Sequence, residues 1–202
     1  MSVFVVDTQC ANIASMMSAL GRLGADAGLG VEPSRLQSAP LVVLPGVGTF
    51  GSAMSRLNDL DLTAPLTERL RAGKPTLCVC VGFQLLFESS EESPGVQGLG
   101  ILSGRVQRFP HHVRVPQFGW NTIQSQTACE LLQDGYYYFA NSYYAANAPE
   151  AFGSANAEHG VKFVAGVEQG AVLGCQFHPE LSSQAGLALL GRWLRRAQEA
   201  AC

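Results

Sequence analysis

One cysteine lies where a buried strand is predicted to turn directly into a helix. Residues 76–80 form an apolar run that is typical of a strand, and residues 82–87 have helical spacing. A nucleophile on such a strand-to-helix turn is held at the edge of the sheet, where a substrate can reach it. The unpaired N–H groups at the start of the helix could bind an oxyanion. Cys80 is therefore a candidate nucleophile, although a free cysteine is more often a small buried apolar residue.

A histidine with a glutamate two residues further on ends another apolar run. This run covers residues 172–177 and is followed by His178, Pro179 and Glu180. An imidazole is the usual base that activates a cysteine, and a carboxylate behind it fixes its tautomer and orientation. Residues two apart on an extended segment have side chains on the same side. The spacing therefore indicates a general base and its orienting group, although a single histidine at a strand end is more often structural.

A third strand end carries glycines. The apolar run Leu41–Leu44 stops at Pro45 and is followed by Gly46, Val47 and Gly48. Two glycines leave the backbone N–H groups of the loop free to approach a ligand closely. Turns of this kind are common, so the loop alone does not indicate a site.

The elements around these loops predict an α/β fold. Short apolar runs at residues 3–6, 41–44 and 76–80 alternate with helical patterns at residues 12–23 and 62–72. Such alternation indicates βαβ units and a parallel sheet, in which ligands bind at the carboxyl ends of the strands. We therefore expect the chemistry in the loops that follow Leu44 and Cys80.

The second half of the chain has a different pattern. Short β-like runs broken by Gly, Pro and Asn occur at residues 113–115, 136–140, 161–164 and 172–177, and a helix is predicted from about Ser182 to Ala197. These runs indicate antiparallel strands added to the sheet or folded beside it. The predicted fold class is α/β, a mostly parallel sheet flanked by helices with an antiparallel β extension, in a single domain over residues 1–202.

Composition excludes several classes of function. The 202 residues carry a net charge of -3 without a block of Lys or Arg, so nucleic-acid binding is not indicated. No apolar run approaches the roughly 20 residues of a membrane span, and the first residues lack the pattern of a signal peptide, which predicts a cytoplasmic protein. The six cysteines are scattered, and the pair Cys78 and Cys80 has no second Cys/His pair at finger-like spacing. We therefore expect no disulfide framework, metal or cofactor.

Taken together, these motifs resemble the class I glutamine amidotransferases. Within that family they are similar to the glutaminase subunits of imidazole glycerol phosphate synthase, an enzyme of histidine biosynthesis. The segments that carry the resemblance are LPGVGTF at 44–50, CVGFQLL at 80–86, SEES at 90–93, VPQFGWN at 115–121 and QFHPE at 176–180. They run in the expected order over nearly the whole chain.

The resemblance implies a role for each matching residue. Cys80 would attack the glutamine amide and form a glutamyl thioester, while His178 moves the proton and Glu180 orients the imidazole. The oxyanion hole would use backbone N–H groups of Val81 and of the loop formed by Gly46, Val47 and Gly48. The residues implied in holding the α-amino and α-carboxylate groups of glutamine are Gln84, Glu92, Ser142 and Tyr143. Two of these have alternative interpretations, Glu92 as a solvated loop acid and Tyr143 as a core residue.

The resemblance also implies a partner. In that family, ammonia passes to a cyclase subunit with a (β/α)8 barrel, and the heterodimer makes imidazole glycerol phosphate and aminoimidazole carboxamide ribotide. Trp120 would lie near the interface, or in the core, or both. The two glycines of the loop after Leu44 allow its backbone to change orientation, so the isolated chain is expected to be a slow glutaminase.

Several positions depart from the family pattern. Cys78 stands where Gly is usual, Asn141 where His is usual, Leu181 where a basic residue is usual, and Gln117-Phe118 where His-Met is usual; residues 7–12 also contain fewer glycines. These departures leave open a related glutaminase that serves another ammonia acceptor. Two further alternatives are a non-catalytic docking subunit and a hydrolase or peptidase that uses the same thiol.

Overall fold

The structure is a computed structural model that describes residues 1–8, 13–46, 48–126 and 128–199. Predictions that fall on Val47 and on residues 9–12 lie outside these ranges. The helices are α1 Ile13–Arg22, α2 Pro33–Ser38, α3 Phe50–Asp59, α4 Thr63–Arg71, α5 Val81–Gln84 and α6 Ser183–Glu199, with a 3-10 turn at Pro179–Leu181. The strands are β1 Ser2–Val6, β2 Asp26–Gly30, β3 Leu41–Leu44, β4 Thr76–Val79, β5 Phe87–Ser90, β6 Leu102–Arg108, β7 Gln117–Ser125, β8 Gly135–Asn141, β9 Tyr143–Ala145, β10 Gly153–Glu158, β11 Lys162–Gln169 and β12 Val172–Cys175.

The main sheet is half parallel and half antiparallel. Within the described ranges it has nine strands in the order β2-β1-β3-β4-β12-β11-β10-β7-β8. The first five pair in parallel, and each pair from β12 to β8 is antiparallel. This arrangement confirms the predicted fold class. A smaller sheet, β5-β6-β9, was not predicted.

The central parallel strands are covered on both faces. Every residue of β3, β4 and β12 is buried, as expected for central strands flanked by helices. Their side chains join those of α1, α3 and α6 in one contiguous hydrophobic core. The single domain predicted for residues 1–202 is consistent with this core and stays a prediction. No helix in the described part of the chain is long and apolar enough to cross a membrane.

One predicted strand does not form, and several predicted element ends were wrong. Residues 113–115 form no strand, because they lie between Pro110 and Pro116, and proline cannot donate to a β-ladder. The helix predicted for residues 82–87 ends at Gln84, since Phe87 pairs with Leu102 in the small sheet. The strand predicted for residues 172–177 ends at Cys175. The earlier end of β12 matters for function, because it places the two residues before His178 in a bend at the carboxyl end of this strand.

Candidate active site

Cys80 occupies the predicted turn between strand and helix. It lies between β4 and α5 with φ 53° and ψ −109°, a conformation that L side chains rarely adopt. Two backbone hydrogen bonds hold it there: the Cys80 N–H donates to the Cys175 carbonyl at 2.7 Å, and the Cys80 carbonyl accepts from the Gln84 N–H at 3.0 Å. A strained residue persists where its surroundings fix it in this way, and such residues cluster at functional sites.

Two glycines allow the loop after β3 to pack against this turn. A Cβ on Gly82 would lie 2.4 Å from the Leu44 carbonyl oxygen, and a Cβ on Gly46 would lie 2.5 Å from the Gly82 nitrogen. Neither position therefore accepts a side chain. The contact brings two of the three predicted loops together, and Gly48 has the positive φ of +98° that favours glycine. Val47 lies outside the described residues, and the oxyanion role of Val81, Gly46 and Gly48 stays a prediction.

The fold accommodates Cys78, which stands where the family usually has glycine. Its side chain is fully buried, and its neighbour in register on β12 is Gly174, which has no side chain to compete for the space. Burial raises the pKa of the Cys78 thiol to about 12. A thiol that stays protonated at neutral pH is a poor nucleophile, so Cys78 is not a candidate for the attacking group.

His178 and Glu180 form the second half of the site. His178 Nδ1 lies 2.9 Å from Glu180 Oε1, and both side chains are almost fully buried. The pair is brought together by the 3-10 turn at Pro179–Leu181 rather than by a fully extended segment. Since Nδ1 faces the carboxylate, Nε2 is the ring atom left for the side-chain hydrogen bond between His178 and Cys80.

The surroundings of His178 favour its protonated form. Burial lowers the pKa of His178, but the hydrogen bonds to Cys80 and Glu180, and the negative charges that these groups can carry, raise it by more. The net effect raises the pKa of His178 to about 10. At neutral pH the ring can therefore hold a proton next to the sulfur, as a base that has accepted the thiol proton must.

Strand β8 holds the backbone of His178 at two points. The His178 N–H donates to the Tyr138 carbonyl at 2.8 Å, and the Tyr138 N–H donates to Ser182 Oγ at 2.9 Å. The same hydroxyl donates to the His178 carbonyl at 2.6 Å. Sequence reasoning did not find Ser182 or Tyr138, because no motif linked β8 to the end of β12.

The residues expected to hold glutamine come from three segments. Gln84 on α5 and Tyr143 on β9 are joined directly, since Gln84 Nε2 donates to the Tyr143 carbonyl at 3.1 Å. Glu92 Oε2 accepts from the Phe50 N–H at 2.7 Å at the start of α3, so this carboxylate is not a freely solvated acid. Ser142 lies next to Tyr143, and its carbonyl accepts from the Phe109 N–H at 3.1 Å. Their substrate roles stay predictions.

One buried side chain at the nucleophile had no predicted role. Gln176 is fully buried, and its Nε2 lies 3.7 Å from Cys80 Sγ. The sequence motif included this residue, but its contact with the sulfur could not be read from spacing. In the described ranges, no group of three His, Cys, Asp or Glu side chains is arranged to hold a metal ion.

A strained cysteine at the end of one parallel strand, with a His–Glu pair at the end of the next, is the arrangement of enzymes that transfer acyl groups through a thiol. The family model of class I glutamine amidotransferases matches residues 12–195 of this chain. Imidazole glycerol phosphate synthase subunit HisH of Desulfitobacterium hafniense is 40% identical over 197 residues, 94% of this chain and 93% of the relative. The HisH subunit of Methanothermobacter thermautotrophicus is 40% identical over 93% of this chain and 95% of the relative.

Solved structures agree in fold. A crystal structure of a glutamine amidotransferase has a TM-score of 0.78 at 21% identity and covers 97% of this chain and 98% of its own. Another glutamine amidotransferase, from Thermotoga maritima, has a TM-score of 0.63 at 15% identity and covers 99% of this chain and 83% of its own. The chain belongs to the class I glutamine amidotransferase family and, within it, to the HisH subunits of imidazole glycerol phosphate synthase. The resemblance inferred from the motifs is thereby confirmed.

Proposed function

We propose that this chain hydrolyses the side-chain amide of L-glutamine at Cys80 and delivers the ammonia to a cyclase subunit with a (β/α)8 barrel. The observation that carries the proposal is the buried set of Cys80, His178 and Glu180 at the ends of β4 and β12. The heterodimer makes imidazole glycerol phosphate and aminoimidazole carboxamide ribotide in histidine biosynthesis. The predicted cytoplasmic location stays a prediction.

The geometry supports a two-step mechanism. Cys80 Sγ bonds to the amide carbon of glutamine as His178 takes the thiol proton, and the carbonyl oxygen becomes an oxyanion. His178 then gives its proton to the departing nitrogen, so ammonia leaves and a glutamyl thioester remains. Water attacks the thioester with His178 as base, which releases glutamate and restores the thiol. The Glu180 carboxylate keeps Nε2 directed at the sulfur throughout, since it accepts from Nδ1.

The partner would dock on the outer face of the β7–β8 hairpin. Phe118, Trp120 and Tyr136 are 70%, 54% and 64% exposed on this face, and we call them the aromatic patch. Large apolar side chains exposed together mark interaction sites, and aromatic residues are enriched in interface cores. A cavity of about 480 Å³ beside β7 is lined by Phe118 and Trp120. The patch supports the predicted position of Trp120 near the interface rather than in the core.

The departures from the family pattern divide between this surface and the interior. Leu181 is partly exposed, whereas Gln117 and Asn141 are buried cross-strand neighbours on the inner side of the hairpin. The side chains of Gln117 and Asn141 therefore do not offer a direct contact to a partner. Leu181 and Phe118 are the replacements that would change the docking surface itself.

Substitution of Cys80 by alanine tests the proposal in the reconstituted complex. Glutamine-dependent synthesis by Cys80→Ala with a purified cyclase is expected to vanish, while synthesis from added ammonium salt stays at the wild-type rate. Cys129→Ala is the matched control, because Cys129 is a half-buried thiol that contacts the Ser154 carbonyl. Unchanged glutamine-dependent synthesis would instead identify a non-catalytic docking subunit. Covalent labelling of Cys80 by a glutamine-like electrophile separates a glutaminase from a peptidase.

A further inference from the structure

Gln176 contacts the reacting atom of the site directly. It follows β12, its side chain is fully buried, and its Nε2 lies 3.7 Å from Cys80 Sγ. His178 contacts the same sulfur through its imidazole. The sulfur therefore has two hydrogen-bonding neighbours from one short bend, and the amide has no part in the proton transfers of the proposed mechanism.

A backbone carbonyl fixes which end of the Gln176 amide faces the sulfur. The Tyr143 carbonyl can only accept, so the Gln84 atom that lies 3.1 Å from it must be the nitrogen. That nitrogen also lies 2.9 Å from the Gln176 amide, which must therefore present its oxygen to Gln84. The other end of Gln176, which faces Cys80, is then the NH2 group. The donor orientation of Gln176 thus follows from the hydrogen-bond network itself.

The same network limits what Gln84 can do. Its NH2 group has two hydrogens, and two acceptors, the Tyr143 carbonyl and Gln176 Oε1, take them. The NH2 group of Gln84 is therefore not available to a substrate. Asn141 Nδ2 donates to the same Tyr143 carbonyl at 3.0 Å and helps to hold it in place.

We propose that Gln176 is a further catalytic residue, which donates an amide hydrogen to the Cys80 sulfur and is held in that orientation by Gln84 and the Tyr143 carbonyl. The inference rests on the proposed glutaminase function. The hydrogen bond is strongest when the sulfur carries negative charge, before attack and again when the thioester breaks down. It stabilises the sulfur in the position from which it attacks and weakens once the thioester has formed.

The variants Gln176→Glu and Gln176→Met separate donation to the sulfur from support of the fold. The glutamate keeps the size of the side chain and an acceptor for Gln84 but loses the donor, whereas the methionine loses both. Loss of a hydrogen bond to a charged group is expected to lower kcat for glutamine by about tenfold to hundredfold in both variants, with KM changing less than threefold. The loss is expected to be larger in Gln176→Glu, because a carboxylate then faces the sulfur.

A second measurement does not require glutamine. The rate at which iodoacetamide alkylates Cys80, followed by mass spectrometry of that peptide, is expected to fall in both variants, and again more in Gln176→Glu. Gln126→Met is the matched control, since it removes an amide that accepts from the Ser154 N–H rather than one that contacts Cys80. Gln84→Met is expected to slow alkylation as well, whereas a residue that only binds substrate would raise KM and leave alkylation unchanged.

Retention of more than half of the wild-type kcat and alkylation rate by Gln176→Glu would overturn the inference, because the acceptor alone would then suffice. If Gln176→Met does not fold, Gln176→Glu decides the question, since it preserves shape and the bond to Gln84. The outcome is separate from that of the proposed function. An inactive Cys80→Ala with a fully active Gln176→Glu refutes only the role of Gln176, and an active Cys80→Ala refutes the glutaminase itself.

Discussion

The two functional regions of the molecule differ in what surrounds them. The side chains of Cys80, His178 and Glu180 are buried and connected by hydrogen bonds within the chain. The aromatic patch of the β7–β8 hairpin is more than half exposed at each residue. The contrast indicates that this chain positions the reactive groups by itself, while the rest of the chain leaves the proposed docking face largely exposed.

One strand belongs to both regions. The backbone of Tyr138 on β8 holds His178, and the ring of Tyr138 packs edge-on against Trp120 of the patch, with ring centroids 6.2 Å apart. A partner that shifts the hairpin would therefore act on the general base through one residue. Substitutions in each region should show how far the two are independent.

The largest effect is expected from loss of the base. His178→Ala should lower glutamine-dependent turnover by about 10²- to 10⁴-fold, the usual contribution of general acid–base catalysis. Ammonium-dependent synthesis by the same complex should be unchanged, because the hairpin face is intact. Both the glutamine-dependent and the ammonium-dependent rate are measured at a saturating concentration of the cyclase. An equal fall in the two rates would show that the substitution disturbs docking as well.

The aromatic patch should affect affinity rather than chemistry. Trp120→Ala is expected to weaken binding of the cyclase by about tenfold to hundredfold, as truncation of an interface tryptophan usually does. The rate at saturating partner should remain near that of wild type. Titration calorimetry gives the affinity, and Leu29→Ala provides a control at an exposed apolar residue of β2, a strand at the opposite edge of the sheet. Comparable losses in both variants would argue against the patch.

The hydrogen bonds of His178 to Cys80 and Glu180, which together raise its pKa, should appear in the pH dependence of stability. A pKa of about 10 in the folded state lies above the ordinary value of 6.5. The stabilisation is therefore complete below pH 6.5 and is lost as pH rises towards 10. Between pH 7 and pH 10, the free energy of unfolding should fall by about 1–2 kcal/mol more in wild type than in Glu180→Gln. Urea titrations of both proteins at each pH give their free energies of unfolding. The same dependence on pH in wild type and Glu180→Gln would contradict a contribution of Glu180.

The smallest effect concerns Leu181. It lies directly after Glu180 and is partly exposed, where relatives are expected to carry a basic residue. Leu181→Lys should strengthen partner binding by about two- to fivefold, because an exposed ion pair contributes little. Leu181→Gln is the control for removal of the apolar side chain. If lysine and glutamine give the same affinity, an ion pair at this position is excluded.

Sequence patterns predicted the site better than its supports. The strands β3, β4 and β12 could be found because buried parallel strands are continuous apolar runs, although the predicted end of β12 was two residues too late. The small sheet could not, since β6 alternates irregularly and is mostly exposed. The bond between Gln176 and Cys80 could not be predicted either. It depends on a side-chain orientation that is set by Gln84 and the Tyr143 carbonyl, which are distant in sequence.

The left-handed backbone at Cys80 also has a thermodynamic consequence. A residue with a Cβ at φ 53° costs of order 1–3 kcal/mol, whereas glycine adopts such angles freely. Replacement of the nucleophile by glycine should therefore give a protein that melts several degrees higher than the alanine variant, although both lack the thiol. The alanine variant therefore bears the same backbone strain as the active enzyme, and the nucleophile is held in place against the preference of the backbone.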